Sequence, residues 1–240
     1  MESSISIQQK AANFRKKNCI GEIDPIIWPG LLGKLEILTI FRPMSDAISG
    51  IVGELNGARF LLINSNHSKG RQHFTIAHEM YHLFYDESFH HALIDTKDLH
   101  TPQERSADAF AAQVLLPEAG ILDFLGQEEL KKNSIRMGTL FKLEQFYQCS
   151  RFALLIRLKK LGLIGNDFIE KFQESLLEQA YIHGFDDCLY KPGNEGLTIG
   201  SYGTLAKSLF DHEIISESNC LDMLLDIGIN SRSLTIEDQH

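Results

Sequence analysis

One motif constrains the fold of this 240-residue chain more than any other feature. Residues 70–86 read GRQHFTIAHEMYHLFYD, and from His78 to His82 they have the pattern H-E-x-x-H. On a helix, residues i and i+4 share a face, so the two imidazoles converge and can bind one divalent metal ion. We expect zinc, with Mn²⁺ as the alternative ion, and we expect Glu79 to act as the general base.

The residues around the motif predict that its helix is buried. Thr75 can cap the start of this helix, and apolar residues recur at helical spacing at Ile76, Ala77, Met80, Leu83 and Phe84. A buried helix that directs two histidines and a glutamate to one side must supply a partner for them, because an unpaired buried charge is costly. The alternative interpretation is a pair of hydrogen-bonded histidines on an ordinary amphipathic helix.

A tetrahedral zinc ion needs a third protein ligand if its fourth position is to hold water. The best candidate is Glu104, in the first turn of a helix predicted from Thr101 to about Leu116, with Pro102 at its first position. This helix can pack closely against the motif helix because small residues follow Glu104 on the same face, at Ala107 and Ala111.

Glu104 has an alternative role, because Thr101-Pro102-Gln103-Glu104 is also a capping-box pattern. Asp108, one turn further on, is either a reserve ligand or a residue that orients a histidine. Tyr81 is a candidate oxyanion donor. His90 and His91 lie in a polar segment after the motif helix, where solvated loop histidines are favoured over metal binding or oxyanion stabilisation.

Three strands are predicted before the motif helix, at Leu35–Arg42, Ile48–Leu55 and Arg59–Asn64. Asn56-Gly57 is a strong hairpin signal between the second and the third. We therefore expect an α+β fold in which a small antiparallel sheet precedes the motif helix and the ligand helix. The edge of that sheet could hold an extended peptide by strand addition.

Composition is that of an ordinary globular protein, with 43% apolar and 23% charged residues. No apolar run approaches the ~18 residues of a membrane span, and the polar start MESSISIQQK lacks the apolar segment of a signal peptide. We expect a cytoplasmic protein without a membrane partner. Its four cysteines are isolated in the sequence, which predicts reduced thiols: Cys19, Cys149, Cys188 and Cys220.

The charge is unevenly distributed along the chain. The net charge of −9 argues against general attraction to nucleic acid, but residues 131–160 hold eight basic residues and one acid. The run CSRFALLIRLKKLGLI, at 149–164, is typical of the end of a helix-turn-helix, with Ser150 as the cap. Direct DNA contact, solvated lysines and an acidic partner remain alternatives, and no residue can be assigned to nucleic-acid binding.

The remainder is predicted to be helical. We expect a helix at 167–183, a linker at 191–196 with the sequence KPGNEG, a helical pair within 203–226 and disorder over 231–240. The expected domains are residues 1–125, which contain the motif, and the helical region 126–240.

The motif stretch, the hairpin ISGIVGEL-NG-ARFLLINS and the segment ERSADAFAAQVLLP resemble the ImmA/IrrE family of zinc-dependent metallopeptidase-like proteins. The resemblance implies a minimal zincin-like peptidase domain in which His78, His82 and Glu104 bind zinc and Glu79 is catalytic. It also implies cleavage of a helix-turn-helix-type repressor or antitoxin encoded nearby. Two positions depart from the family pattern: Tyr81 replaces a small residue, and Ser106 replaces an acidic one.

Our prediction from the sequence is a zinc-dependent endopeptidase that cleaves such a protein. One alternative is a DNA-binding regulator with a purely structural zinc site. The other is a partner-binding member of a toxin–antitoxin pair that performs no proteolysis.

Overall fold

The computed structural model describes residues 2–86, 101–172 and 176–229. His90, His91 and the segment 231–240 lie outside these residues. The elements up to the end of the ligand helix are α1 (Ser4–Lys17), α2 (Trp28–Lys34), β1 (Ile37–Arg42), β2 (Gly50–Leu55), β3 (Ala58–Asn64), α3 (Lys69–Tyr85) and α4 (Pro102–Leu115). They are followed by α5 (Glu118–Phe124), α6 (Met137–Tyr147), α7 (Arg151–Lys160), α8 (Asn166–Lys171), α9 (Leu176–Ile182), β4 (Thr198–Ile199), α10 (Tyr202–Asp211) and α11 (Glu217–Asp226).

Capping side chains fix several helix starts. The Ser3, Thr101 and Ser150 hydroxyls accept hydrogen bonds from backbone amides three residues on, at the starts of α1, α4 and α7. Pro102 occupies the first turn of α4, where its missing N–H costs nothing. The predicted cap at Ser150 and the predicted helix starting near residue 101 are confirmed. The predicted cap at Thr75 is wrong, because α3 already begins at Lys69 and the Thr75 hydroxyl donates to the Arg71 carbonyl inside the helix.

The four strands form one mixed sheet in the order β2-β3-β1-β4. β2 and β3 form the predicted antiparallel hairpin, and positive φ angles of 51° at Asn56 and 82° at Gly57 make its turn. The prediction of a purely antiparallel sheet is wrong, because β1 pairs in parallel with β3. β3 is an interior strand, and its Leu61 and Ile63 are fully buried. β2, which contains two glycines, is an edge strand.

A continuous apolar core joins the sheet, α1, α3 and α4 to the helices α5–α8. It includes residues on both sides of position 125, and the predicted boundary between residues 1–125 and 126–240 stays a prediction. The α6–α7 turn packs directly on the metal-motif helix: a Cβ atom at Gly70 would lie 2.7 Å from the Ser150 amide nitrogen, and the His73 ring bonds the Gln148 carbonyl at 2.7 Å.

The stretch predicted as a linker, KPGNEG at 191–196, is instead docked against the start of α3. The buried Gln72 amide group donates to the Gly193 carbonyl at 2.9 Å and accepts from the Asn194 amide group at the same distance. The chain then adds β4 to the sheet. The helix predicted at 167–183 is described as two, α8 and α9. Across the described ranges, no helix combines the length and the apolarity that a bilayer crossing requires.

Candidate metal centre

The motif helix and the ligand helix bring three side chains to one point. His78 and His82 lie one turn apart on α3, with their Nε2 atoms 3.2 Å from each other. Glu104 reaches across from α4, placing Oε2 3.0 Å from the His78 Nε2 and Oε1 3.3 Å from the His82 Nε2. These three residues each direct a ligand atom to a region in which the atoms lie within 4.8 Å of one another, so together they could hold a metal ion.

The approach of α4 depends on small side chains at the helix contact. Ala107 and Ala111 are both fully buried, as the sequence predicted from their spacing. The Thr101 half of the predicted capping box is present, since its hydroxyl accepts from the Glu104 amide at 3.2 Å. The two carboxylate oxygens of Glu104 both approach imidazole nitrogens, which is the arrangement required of a third ligand.

Each of the two histidines contacts a carboxylate through its outer ring nitrogen, Nδ1. Asp108 Oδ1 lies 2.9 Å from the Nδ1 of His78, and Asp86 Oδ2 lies 2.9 Å from the Nδ1 of His82. A carboxylate accepts hydrogen bonds, so these contacts assign a proton to each Nδ1. When the imidazoles are neutral, as metal binding requires, each Nε2 then carries a lone pair on the side of Glu104. Two lone pairs and a carboxylate that face one another need a cation between them, and this donor set fits a zinc ion.

The charges of these groups lead to the same conclusion. Burial lowers the pKa of His78, but hydrogen bonds with Asp108 and Glu104 outweigh it and raise that pKa to about 9. Burial raises the pKa of Glu104, but hydrogen bonds with His78 and His82 lower it far below its ordinary value. Without a metal, the cluster therefore takes up a proton in place of the missing positive charge.

Glu79 lies next to the cluster and faces the edge strand. Its side chain is buried, and a Cβ atom built at Gly50 would lie 3.4 Å from its Oε1 and 2.5 Å from the Thr75 methyl carbon. The missing side chain at Gly50 therefore lets the first residue of β2 come close to α3 beside Glu79. This contact places the predicted general base, the neighbour of His78 in the sequence, against the start of the edge strand.

The Tyr81 ring lies edge-on to the His82 ring, with centroids 5.8 Å apart, but its hydroxyl is directed at Glu2. Its hydroxyl donates to Glu2 at 2.8 Å, and its ring packs on Phe110 with ring centroids 5.7 Å apart. Burial and the hydrogen bond to Glu2 raise the pKa of Tyr81 to about 12. The role of Tyr81 as an oxyanion donor stays a prediction. The sequence could not reveal the hydrogen bond to Glu2, because the two residues are 79 positions apart.

Sequence reasoning assigned no role to Asp86, although a signal for one was present. Asp86 follows His82 by four residues and so lies on the same face of the helix, as His82 does relative to His78. A carboxylate at that spacing is well placed to hold the outer nitrogen of the second histidine. Asp108, in contrast, lies where the sequence analysis placed a residue that orients a histidine.

Arg151 and Arg157, two of the eight basic residues at 131–160, bond to other groups within the fold. Arg151 is buried and forms an ion pair with the buried Glu144. The Arg157 side chain donates to the Leu116 carbonyl at 3.0 Å, after the end of α4. The remaining six basic residues are exposed: Lys131, Lys132, Arg136, Lys142, Lys159 and Lys160.

Comparison with known proteins yields one family match. A family model described as Peptidase_M78, IrrE N-terminal-like domain, matches residues 32–159. The match covers more than half of the chain and contains the whole of α3 and α4, and thus every residue of the cluster. No curated protein matches the chain.

Proposed function

The chain belongs to the Peptidase_M78 family of IrrE N-terminal-like domains, and from this membership we propose that it is a zinc-dependent endopeptidase. The family supports a metallopeptidase-like role and implies a protein substrate. One observation carries the more specific proposal: the His78 and His82 Nε2 lone pairs and the Glu104 carboxylate converge on one point. We assign these three residues as the zinc ligands, with Mn²⁺ as an alternative ion.

In this proposal each residue around the ion has a separate role in peptide hydrolysis. A zinc ion bound there would lower the pKa of a water molecule and polarise the scissile carbonyl. Glu79 removes the proton from the attacking water and transfers it to the departing amine. Asp108 and Asp86 accept hydrogen bonds from the ligand histidines and keep the Nε2 atom of each directed inwards. No described side chain is assigned to oxyanion stabilisation.

The outer edge of β2, which pairs with no other described strand, supports the binding of an extended peptide. The Asn64 amide donates to the Ser49 carbonyl, so the antiparallel alternation directs the backbone groups of Gly50, Val52 and Glu54 away from β3. A substrate strand could bond these groups, and Gly50 would hold it beside Glu79. This is the strand addition that the sequence predicted for a sheet edge.

We propose that the substrate is a helix-turn-helix-type repressor or an antitoxin encoded nearby, and that the reaction takes place in the cytoplasm. The resemblance to ImmA/IrrE proteins supports this narrower proposal. The alternatives, a DNA-binding regulator with a structural zinc site and a toxin–antitoxin partner without proteolysis, receive less support. Arg151 and Arg157 bond within the protein and are not available to DNA.

The test is to mix the full chain, loaded with Zn²⁺ or Mn²⁺, with the repressor-like protein encoded beside it and to look for cleavage by mass spectrometry. We expect the substrate to be cut. Glu79→Gln should lower the rate by about 10²–10⁴-fold, because it removes the proton acceptor. The variant should keep its zinc, which metal analysis would measure.

The control is Glu118→Gln, the same change in an exposed carboxylate on α5. It should cleave as the wild-type chain does. If Glu79→Gln cleaved at the wild-type rate, the zinc site would be structural. If the two proteins copurified without cleavage in either metal, the toxin–antitoxin alternative would replace the proposed function.

A further inference from the structure

Arg71 lies on the same face of α3 as the metal-binding histidines. It precedes His78 by seven residues, which is two helical turns. Its side chain is exposed, and one guanidinium nitrogen donates to the Ser49 hydroxyl at 3.0 Å. Within the described part of the chain, no carboxylate forms an ion pair with Arg71.

The contact with Ser49 places Arg71 beside the start of the edge strand, since β2 begins at the next residue. At the other end of the hairpin, Arg59 pairs with Glu54 and lies over the Phe84 ring, 5.2 Å from its centroid. The start of β2 thus lies beside the start of α3, and its end lies beside the end of α3, so the two elements run in the same direction. Arg71 lies at the start of the strand.

The neighbouring His67 adds no positive charge beside Arg71. Its side chain is only 7% exposed, and burial lowers its pKa while the charge of Arg71 lowers it further, so the ring is neutral. Arg71 is therefore a cationic group at the start of the edge strand, where an exposed guanidinium without an acidic partner among the described residues can bind a carboxylate.

We propose that Arg71 binds a carboxylate of the substrate, three to four residues on the C-terminal side of the cleaved bond. This inference rests on the proposed function. Arg71 precedes the midpoint between His78 and His82 by nine residues, which is about 13 Å at 1.5 Å per residue. An extended peptide covers that distance in about four residues.

The direction of the substrate follows from the more stable type of strand pairing. A peptide that pairs antiparallel with β2 runs towards Arg71, because β2 starts there and runs away from it. The residues that follow the cleaved bond would then reach Arg71. The carboxylate could come from an Asp or Glu side chain or from the C-terminus of the substrate.

The experiment uses the zinc-loaded full chain and two peptide libraries derived from a proteome, one with free and one with amidated C-termini. Mass spectrometry would identify the cut bonds for the wild-type chain, Arg71→Gln, Arg71→Glu and the control Lys160→Glu, an exposed lysine on α7. We expect Asp and Glu to be enriched about two- to fivefold at the third or fourth position after the cut, the size of an exposed ion pair.

The enrichment should vanish in Arg71→Gln, change to Lys and Arg in Arg71→Glu, and persist in Lys160→Glu. Enrichment that persists with amidated peptides assigns the carboxylate to a side chain, and enrichment confined to free C-termini assigns it to the terminus. Cleavage without this enrichment, or enrichment that survives Arg71→Glu, would overturn the inference and leave the peptidase proposal intact.

If neither library were cut, the proposed function would be in question while the binding site could still be tested. The Glu79→Gln chain and the Glu79→Gln/Arg71→Glu chain would be used to select binding peptides from the same library in displayed form. Acidic peptides selected by the first chain and not by the second support the site. Equal selection by both chains overturns it.

Discussion

Two of the buried groups of charged side chains differ in whether their charges balance. At the metal centre, His78, His82 and Glu104 direct electron pairs at one another. In the α6–α7 region, Glu144 and Arg151 have opposite charges and form an ion pair at almost complete burial. The second group is satisfied within the protein, whereas the first is satisfied only when a cation is added.

This contrast distinguishes a ligand-binding site from a buried polar network that only stabilises the fold. A buried ion pair also has accessory hydrogen bonds, and here the Tyr190 hydroxyl donates to Glu144 at 2.7 Å while Arg151 donates to the Phe172 carbonyl at 3.1 Å. The charges and hydrogen-bonding groups of such a network are satisfied by one another, without a ligand. The metal centre has carboxylates on the outer nitrogens of its histidines and only acceptors inside, and this mismatch indicates a ligand.

The largest effect is expected from Glu104→Gln, which removes the negative charge of the carboxylate ligand from the metal centre. Zinc affinity should fall by more than about 100-fold, beyond the loss typical of an outer hydrogen-bonding residue, and cleavage should cease. The fold should persist, because the Thr101 hydroxyl still caps the Glu104 amide. Calorimetric zinc titration and circular dichroism would measure the two outcomes.

Gln103→Ala is the matched control, because Gln103 is the exposed neighbour of Glu104 in the same turn of α4. It should bind zinc as the wild-type chain does. Unchanged zinc affinity in Glu104→Gln would show that Glu104 serves only as a helix cap, and the distinction between the two buried groups would disappear.

The second prediction concerns the buried ion pair of Glu144 and Arg151. Arg151→Met leaves Glu144 buried without its cation and should lower the free energy of unfolding by about 3–5 kcal/mol. Urea denaturation would measure this loss with and without zinc, and the zinc affinity of the folded chain should stay unchanged. Adding Glu144→Gln should recover part of the loss, since the neutral amide oxygen can still accept from Tyr190. No recovery in the double variant would contradict this account.

The metal centre was largely predictable from the sequence, because its main parts lie on two regular helices. The i, i+4 spacing placed His78 and His82 together, and the alanines beside Glu104 predicted the close approach of α4. The hairpin was predictable from Asn56-Gly57, which adopts the positive φ angles that its turn requires. These features depend on local periodicity and turn chemistry.

What could not be predicted depends on contacts between distant segments. Tyr81 is held by Glu2, Arg151 by Glu144, and KPGNEG by Gln72, and none of these pairings has a local sequence signal. The parallel pairing of β1 with β3 was missed because strand patterns identify strands but not their neighbours. Basic residues near a helix cap suggested DNA contact, but tertiary packing uses Arg151 and Arg157 internally.

The smallest effect is expected from Asp108→Asn, which removes a charge from the outer side of the metal centre. Zinc affinity should fall by about 10–100-fold, because the amide holds the Nδ1–H of His78 less firmly than the carboxylate does. Asp167→Asn, at the exposed start of α8, is the control and should bind zinc normally. Equal affinities for the two variants would mean that Asp108 does not support the ligand.

The same variant should change how the metal-free protein responds to pH. Burial lowers the pKa of His78, but Asp108 and Glu104 raise it to about 9 in the folded protein, above the 6.5 of an unperturbed histidine. The resulting stabilisation is complete below pH 6.5 and is lost as the pH rises from 6.5 to about 9. Without the Asp108 charge the folded pKa of His78 falls, so the loss of stability over this range should be smaller in Asp108→Asn. Urea denaturation of the chelator-treated chains at pH 6 and pH 9 would measure it. An equal loss in both chains would show that Glu104 alone holds the proton, and Asp108 would then have no part in balancing the charge of the empty cluster.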